Sequence, residues 1–152
     1  MNALFEAAKE VCAFMEENGW RFCIIGGLAM QRWGEPRTTS DVDITLQAGW
    51  GEEEHYINAI LDHFESRIPD GHAFGLSRRV LLIRASNGKD VDIALGALPF
   101  EDSMIQRAAP VEFTPARPGQ KRLRHTSNTG RQRRCKLSMC TLPVAITRSW
   151  RP

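Results

Sequence analysis

IIGGLAMQRWGEPRTTSDVDITL, Ile24 to Leu46, places two glycines directly after an apolar run and, after a spacer of 13 residues, two aspartates separated by one valine. In DVDITL, Val42, Ile44 and Leu46 alternate with Asp41, Asp43 and Thr45, the period of a strand with one face in a core. Asp41 and Asp43 therefore point the same way, and carboxylates so placed repel each other unless a cation lies between them. Upstream, WRFCII reads as a buried strand that Gly26 and Gly27 break. LAMQRW then suits a short helix and GEPRTTS a polar loop.

The aspartate pattern occurs a second time. RRVLLIRASNGKDVDIAL reads as a hairpin of two apolar strands, with Asn87 and Gly88 suited to a tight two-residue turn. In its second strand Val91, Ile93 and Leu95 alternate against Asp90, Asp92 and Ala94. If both aspartate strands belong to one sheet and bury their apolar faces on the same helices, Asp41, Asp43 and Asp92 converge on the open face. Three converging carboxylates make a hard oxygen site suited to Mg²⁺, which binds through a few carboxylates together with substrate phosphates and water. Two such ions can activate an attacking hydroxyl and steady a leaving pyrophosphate. Gly26 and Gly27, between a strand and a helix start, allow close backbone approach to phosphate oxygens. A valine at Gly27 is accordingly expected to weaken nucleotide binding, with little effect on unfolding unless Gly27 also holds a left-handed conformation. Asp90 sits beside the hairpin turn, where acids are common, so Asp92 is the preferred third carboxylate and Asp90→Asn is expected to be close to silent.

The remaining segments alternate in the same manner. Leu4, Ala8, Val11 and Met15 recur at helical spacing from Asn2 to Asn18, with Asn18 and Gly19 as a left-handed stop. EEEHYINAILDHFESR carries Ile57, Ile60, Leu61 and Phe64 on one helical stripe and glutamates in its first turn, and Pro69, Asp70 and Gly71 end that element. PFEDSMIQRA suits a short helix and PVEF a short strand. Together these elements predict an α/β (α+β) domain with a mixed β-sheet flanked by helices.

At 152 residues the chain fits one domain of usual size with a real core. Its net charge is only +2, but the charge is unevenly distributed. All 18 acidic residues lie in Met1 to Phe113 with 10 Lys and Arg, a net of −8; Thr114 to Pro152 holds the other 10 and no acid. Cys12, Cys23, Cys135 and Cys140 form no CxxC pair, and the histidines have no zinc-site spacing. Cys12 and Cys23 are expected to pack as small hydrophobes, and His55, His63 and His72 to lie on helices or the surface. The amphipathic, acidic N-terminus does not read as a secretory signal, and no apolar run approaches the roughly 18 residues that span a bilayer. The expectation is a reduced, cytoplasmic protein without membrane contact.

An apolar strand, two glycines, the 13-residue spacer, Asp-Val-Asp-Ile and a third Asp on a later strand resemble the DNA polymerase β-like nucleotidyltransferase superfamily. Within it, GGLAMQRWGEPRTTSDVDI is similar to the minimal nucleotidyltransferases of toxin–antitoxin systems, the AbiEii/AbiGii abortive-infection type. The resemblance implies a magnesium-dependent transferase with two Mg²⁺ ions, replaceable by Mn²⁺, that moves a nucleoside monophosphate from an NTP to an acceptor hydroxyl and releases pyrophosphate. It further implies an acceptor that is a tRNA 3′ end or a tyrosine on a cognate toxin or antitoxin partner. By the same resemblance Asp41 and Asp43 bind both metals, and Asp92 helps to bind the catalytic metal and to activate the acceptor. Gly26 and Gly27 hold the triphosphate, and Arg37, Thr38 and Ser40 are weaker candidates for substrate contacts.

The resemblance covers residues 1–113, the expected nucleotidyltransferase core domain. Thr114 to Pro152 lacks sustained periodicity and any acid, while holding half of the cysteines and Trp150. It reads as a basic, disordered tail with two competing origins: an arm that contacts tRNA phosphates, or a coding region translated out of frame. The out-of-frame reading carries an alternative function, a catalytically impaired nucleotidyltransferase fold that acts by binding a partner or nucleic acid.

Overall fold

The computed structural model describes residues 3–31, 38–111 and 137–139. Helix α1, Ala3–Glu17, buries Leu4, Ala7, Ala8, Val11, Cys12 and Met15 along one stripe. It ends as Asn18 and Gly19 predict. Gly19 takes φ +70°, its N–H donates to the Glu16 carbonyl at 3.0 Å, and the Trp20 N–H donates to the Met15 carbonyl at 3.0 Å. That pair of bonds satisfies carbonyls the helix itself leaves open. Strand β1, Phe22–Ile25, then leads directly into the single-turn helix α2, Gly26–Met30, so the two glycines open the helix instead of preceding it.

Strands β2, Asp41–Gln47, and β5, Asp90–Gly96, lie side by side and parallel, from Asp41↔Asp90 through Gln47↔Gly96. Around them the mixed sheet runs β3-β4-β5-β2-β1-β7-β6, where β3 is Glu65–Ser66, β4 Val80–Arg84, β6 Ala109–Val111 and β7 Leu137–Met139. Within the basic C-terminal segment, β7 pairs parallel to β1 at Ile24↔Met139 and antiparallel to β6. Residues 137–139 therefore depart from the disorder expected of Thr114–Pro152, because they pair with β1 and β6; the rest of that segment lies outside the described residues.

The core forms on one face of the sheet. Val42, Ile44, Leu46, Leu81, Ile83, Val91, Ile93 and Leu95 pack against α1 and against Ile57, Ile60 and Phe64. Each such side chain, fully buried, contributes about 1.5–3 kcal/mol. On the other face α5, Pro99–Gln106, covers only part of β1 and β2, where Cys23 and Ile105 are buried together. Gln47 anchors this helix by donating to Asp102 at 2.5 Å. The aspartate ends of β2 and β5 remain accessible.

Three local expectations are corrected. Helix α3 spans Glu53–His63, shorter than the 52–67 segment, because the chain becomes extended at Phe64 (φ −117°, ψ 145°) and pairs Glu65 and Ser66 with β4. Asp70 and Gly71 do not simply end an element. The Asp70 carboxylate accepts the Ala73 N–H at 3.2 Å and caps α4, Gly71–Arg78. This helix was hidden by its glycines, and Gly75 explains why they are there: a Cβ would lie 2.8 Å from Leu81 Cδ2 and 3.1 Å from Ile57 Cδ1. Third, the β4–β5 turn has three residues, Ser86 to Gly88, with Ala85 N–H bonded to the Lys89 carbonyl at 2.9 Å. Gly88, at φ +77°, takes the left-handed position of that longer turn.

Candidate metal centre

The parallel register builds the centre. Since Asp43 pairs with Asp92 and Asp41 with Asp90, all four carboxylates leave the sheet on the face opposite the core. Asp41, Asp43 and Asp92 each offer an oxygen, and these three atoms lie within 4.8 Å of one another. All three residues are half-buried. Thr39 orients Asp41: its hydroxyl lies 3.0 Å from Asp41 Oδ1 and 3.2 Å from the Asp41 carbonyl.

Burial raises the pKa of Asp43 above the ordinary carboxylate range, with repulsion from Asp41 and then Asp92 adding to it; a backbone hydrogen bond from Gly27 opposes the rise. Asp92 is raised as well, chiefly by burial, with Asp41 and Asp90 contributing and Arg67 opposing. Asp90 moves the other way, because hydrogen bonding and charge from Arg67, then Arg84, hold it below the usual range. Two neighbouring carboxylates pushed up by burial and by like-charged neighbours mark a place where a divalent cation is electrostatically favoured.

Arg67 was not singled out by sequence. It follows β3 on the edge strand, its N–H donates to the Leu82 carbonyl at 2.9 Å, and its guanidinium reaches across β4. One nitrogen lies 2.9 Å from Asp90 Oδ2 and the other contacts Asp92 Oδ1. Read as a helix, FESR pointed Arg67 elsewhere. The signal that marked this segment was Pro69, which disfavours helical backbone just before it.

The glycines serve the carboxylates directly. Gly26 takes φ +66°, and a Cβ there would overlap Oδ2 of Asp43. Gly27 packs on the loop before β2, where a Cβ would lie 2.6 Å from Thr39 Cβ. The expectation that Gly27→Val leaves unfolding nearly untouched is therefore corrected: a valine must displace Thr39, and with it the hydrogen bond to Asp41. Thr38 and Ser40 are exposed in the segment that leads into Asp41. Arg37 lies outside the described residues. The histidines among the described residues are elsewhere: His63 stacks on Phe14 at 4.6 Å, His55 lies against Trp20, and His72 is 3.8 Å from Glu54.

No protein-family model matches the chain, and no curated protein matches it. The donor set itself is all oxygen, compact and anionic, which fits Mg²⁺ or Mn²⁺ and lacks the nitrogen and sulfur ligands of a zinc site. No helix among the described residues is long and apolar enough to cross a membrane.

Proposed function

We propose that the protein is a magnesium-dependent nucleotidyltransferase, which moves a nucleoside monophosphate from an NTP to the hydroxyl of an acceptor, a tRNA 3′ end or a tyrosine of a cognate toxin or antitoxin partner. The observation that carries this reading is the convergence of Asp41, Asp43 and Asp92 from two parallel strands, with oxygens within 4.8 Å of one another, on the sheet face opposite the core. Asp41 and Asp43 would hold both ions and Asp92 one of them. Bound there, the metal would supply charge stabilisation for the triphosphate and lower the pKa of the acceptor hydroxyl.

The chain's own groups divide the remaining work. Thr39 orients Asp41, so this ligand would meet the substrate already positioned. Asp92, with its raised pKa, is suited to accept the acceptor's proton. In the transfer, the acceptor oxygen bonds to the α-phosphorus, the bond to the bridging oxygen breaks, and pyrophosphate leaves with that electron pair. Thr38 and Ser40, exposed in the segment that leads into Asp41, would be weaker candidates for contacts to the nucleotide.

The test is incubation of the purified chain with each α-labelled NTP, Mg²⁺, and either total tRNA or partner protein. The reading expects label in one acceptor and equimolar pyrophosphate, both lost in Asp41→Asn and Asp43→Asn proteins. Label transfer that survives either substitution would overturn it.

A further inference from the structure

We propose that Arg67 is an internal cation that competes with the divalent ion for Asp92 and thereby sets how tightly the centre holds metal. The inference rests on the metal reading of Asp41, Asp43 and Asp92 given above. Its own basis is the placement of one guanidinium on two carboxylates. Arg67 lies 2.9 Å from Asp90 and in contact with Asp92, and its side chain is only 19% exposed. Asp90 stands outside the triad, but it holds the arginine that touches the triad.

A cation bound by Asp41 and Asp43 would share Asp92 with a fixed positive charge. Oδ1 of Asp92 accepts from Arg67, so a metal that uses this oxygen would share it with the guanidinium, and one that uses Oδ2 would lie within a few ångströms of the same positive charge. Either way, attraction of Arg67 for Asp92 works against attraction of the metal for the same group. Arg67 is also held weakly at one point. Its Nε is buried and has no hydrogen-bond partner among the described residues, so the side chain has a polar group to gain by moving. Its backbone, by contrast, is fixed to Leu82, so a released guanidinium would remain over the same end of the sheet. The centre would thus exchange one cation for another while keeping its carboxylates in place.

Mn²⁺ binding, followed by electron paramagnetic resonance and calorimetry without nucleotide, tests this on full-length wild-type, Arg67→Gln and Arg67→Lys proteins. Removing a competing unit charge at this range should tighten Mn²⁺ binding by about tenfold or more in Arg67→Gln. Arg67→Lys, which keeps the charge, should stay near wild type. A purely structural role for Arg67 would give weaker binding in both. Equal or weaker binding in Arg67→Gln overturns the proposal alone, whereas absence of Mn²⁺ binding in every protein overturns both the proposal and the metal reading. A second measurement needs no variant: in the wild-type protein the Arg67 Nε resonance should shift as Mg²⁺ saturates, and a resonance that stays fixed while metal binds would also overturn the proposal.

Discussion

Gly26 and Asp43 compete for the same space: a Cβ on Gly26 would overlap Oδ2 of Asp43, a member of the acidic triad. Gly26 also holds φ +66°, a conformation in which other residues are strained. Gly26→Ala should therefore destabilise the fold by about 1–3 kcal/mol and turn Asp43 away from the triad. Urea denaturation and Mn²⁺ titration check this, and unchanged values in both would show that the β1–α2 junction has room the structure does not display.

Asp43 is charged at a cost that a neutral isostere avoids. Burial and its like-charged neighbours raise its pKa, so at neutral pH the ionised side chain weakens the fold. Asp43→Asn should stabilise the metal-free protein, by no more than about 1 kcal/mol because solvent screens a half-exposed group. The same substitution should abolish nucleotidyl transfer. A less stable Asp43→Asn protein would mean that the Gly27 hydrogen bond outweighs the repulsion.

The pH dependence of stability should carry opposite contributions from neighbouring carboxylates. For Asp43 and Asp92 the folded pKa lies above the ordinary 3.8, so the folded state binds more protons and stability falls as pH rises through the raised values. For Asp90 the folded pKa lies below 3.8; its contribution is fully present above that value and is lost as pH falls through the lowered one. Acidification from neutral should first stabilise the metal-free protein and then destabilise it. Urea midpoints measured across pH should show the early rise in wild type and a smaller rise in Asp43→Asn, and an identical rise in the two would remove Asp43 as its source.

Asp92 and Asp90 should separate function from support. Asp92→Asn removes a triad oxygen and should eliminate most transfer. Asp90→Asn breaks pairs with Arg67 and Arg84, so it should cost up to about 1 kcal/mol of stability. As an outer partner it should change activity by about tenfold, where sequence alone predicts near silence. Parallel assays and denaturation of the two proteins decide it, and loss of transfer in Asp90→Asn with retention in Asp92→Asn would reassign the third ligand.

Much of this was legible in the chain itself. Alternation of Val42, Ile44 and Leu46 with Asp41, Asp43 and Thr45 determined the strand and its two faces, since side-chain direction along a strand has a period of two. The same alternation in DVDIAL determined that Asp92 leaves its strand on the polar side. Asn18 and Gly19 determined a helix stop, because a left-handed residue closes the terminal carbonyls. Only the tertiary structure decided that β2 and β5 are neighbours in parallel, with Asp43 opposite Asp92, because strand pairing is a long-range choice made by packing against α1 and α3. It alone brought Arg67 to Asp90 and Asp92 from an edge strand of two residues, too short to leave a period in the sequence. It alone showed that Gly26 and Gly27 make room for Asp43 and Thr39, because a glycine records that a side chain would not fit and never which neighbour excludes it.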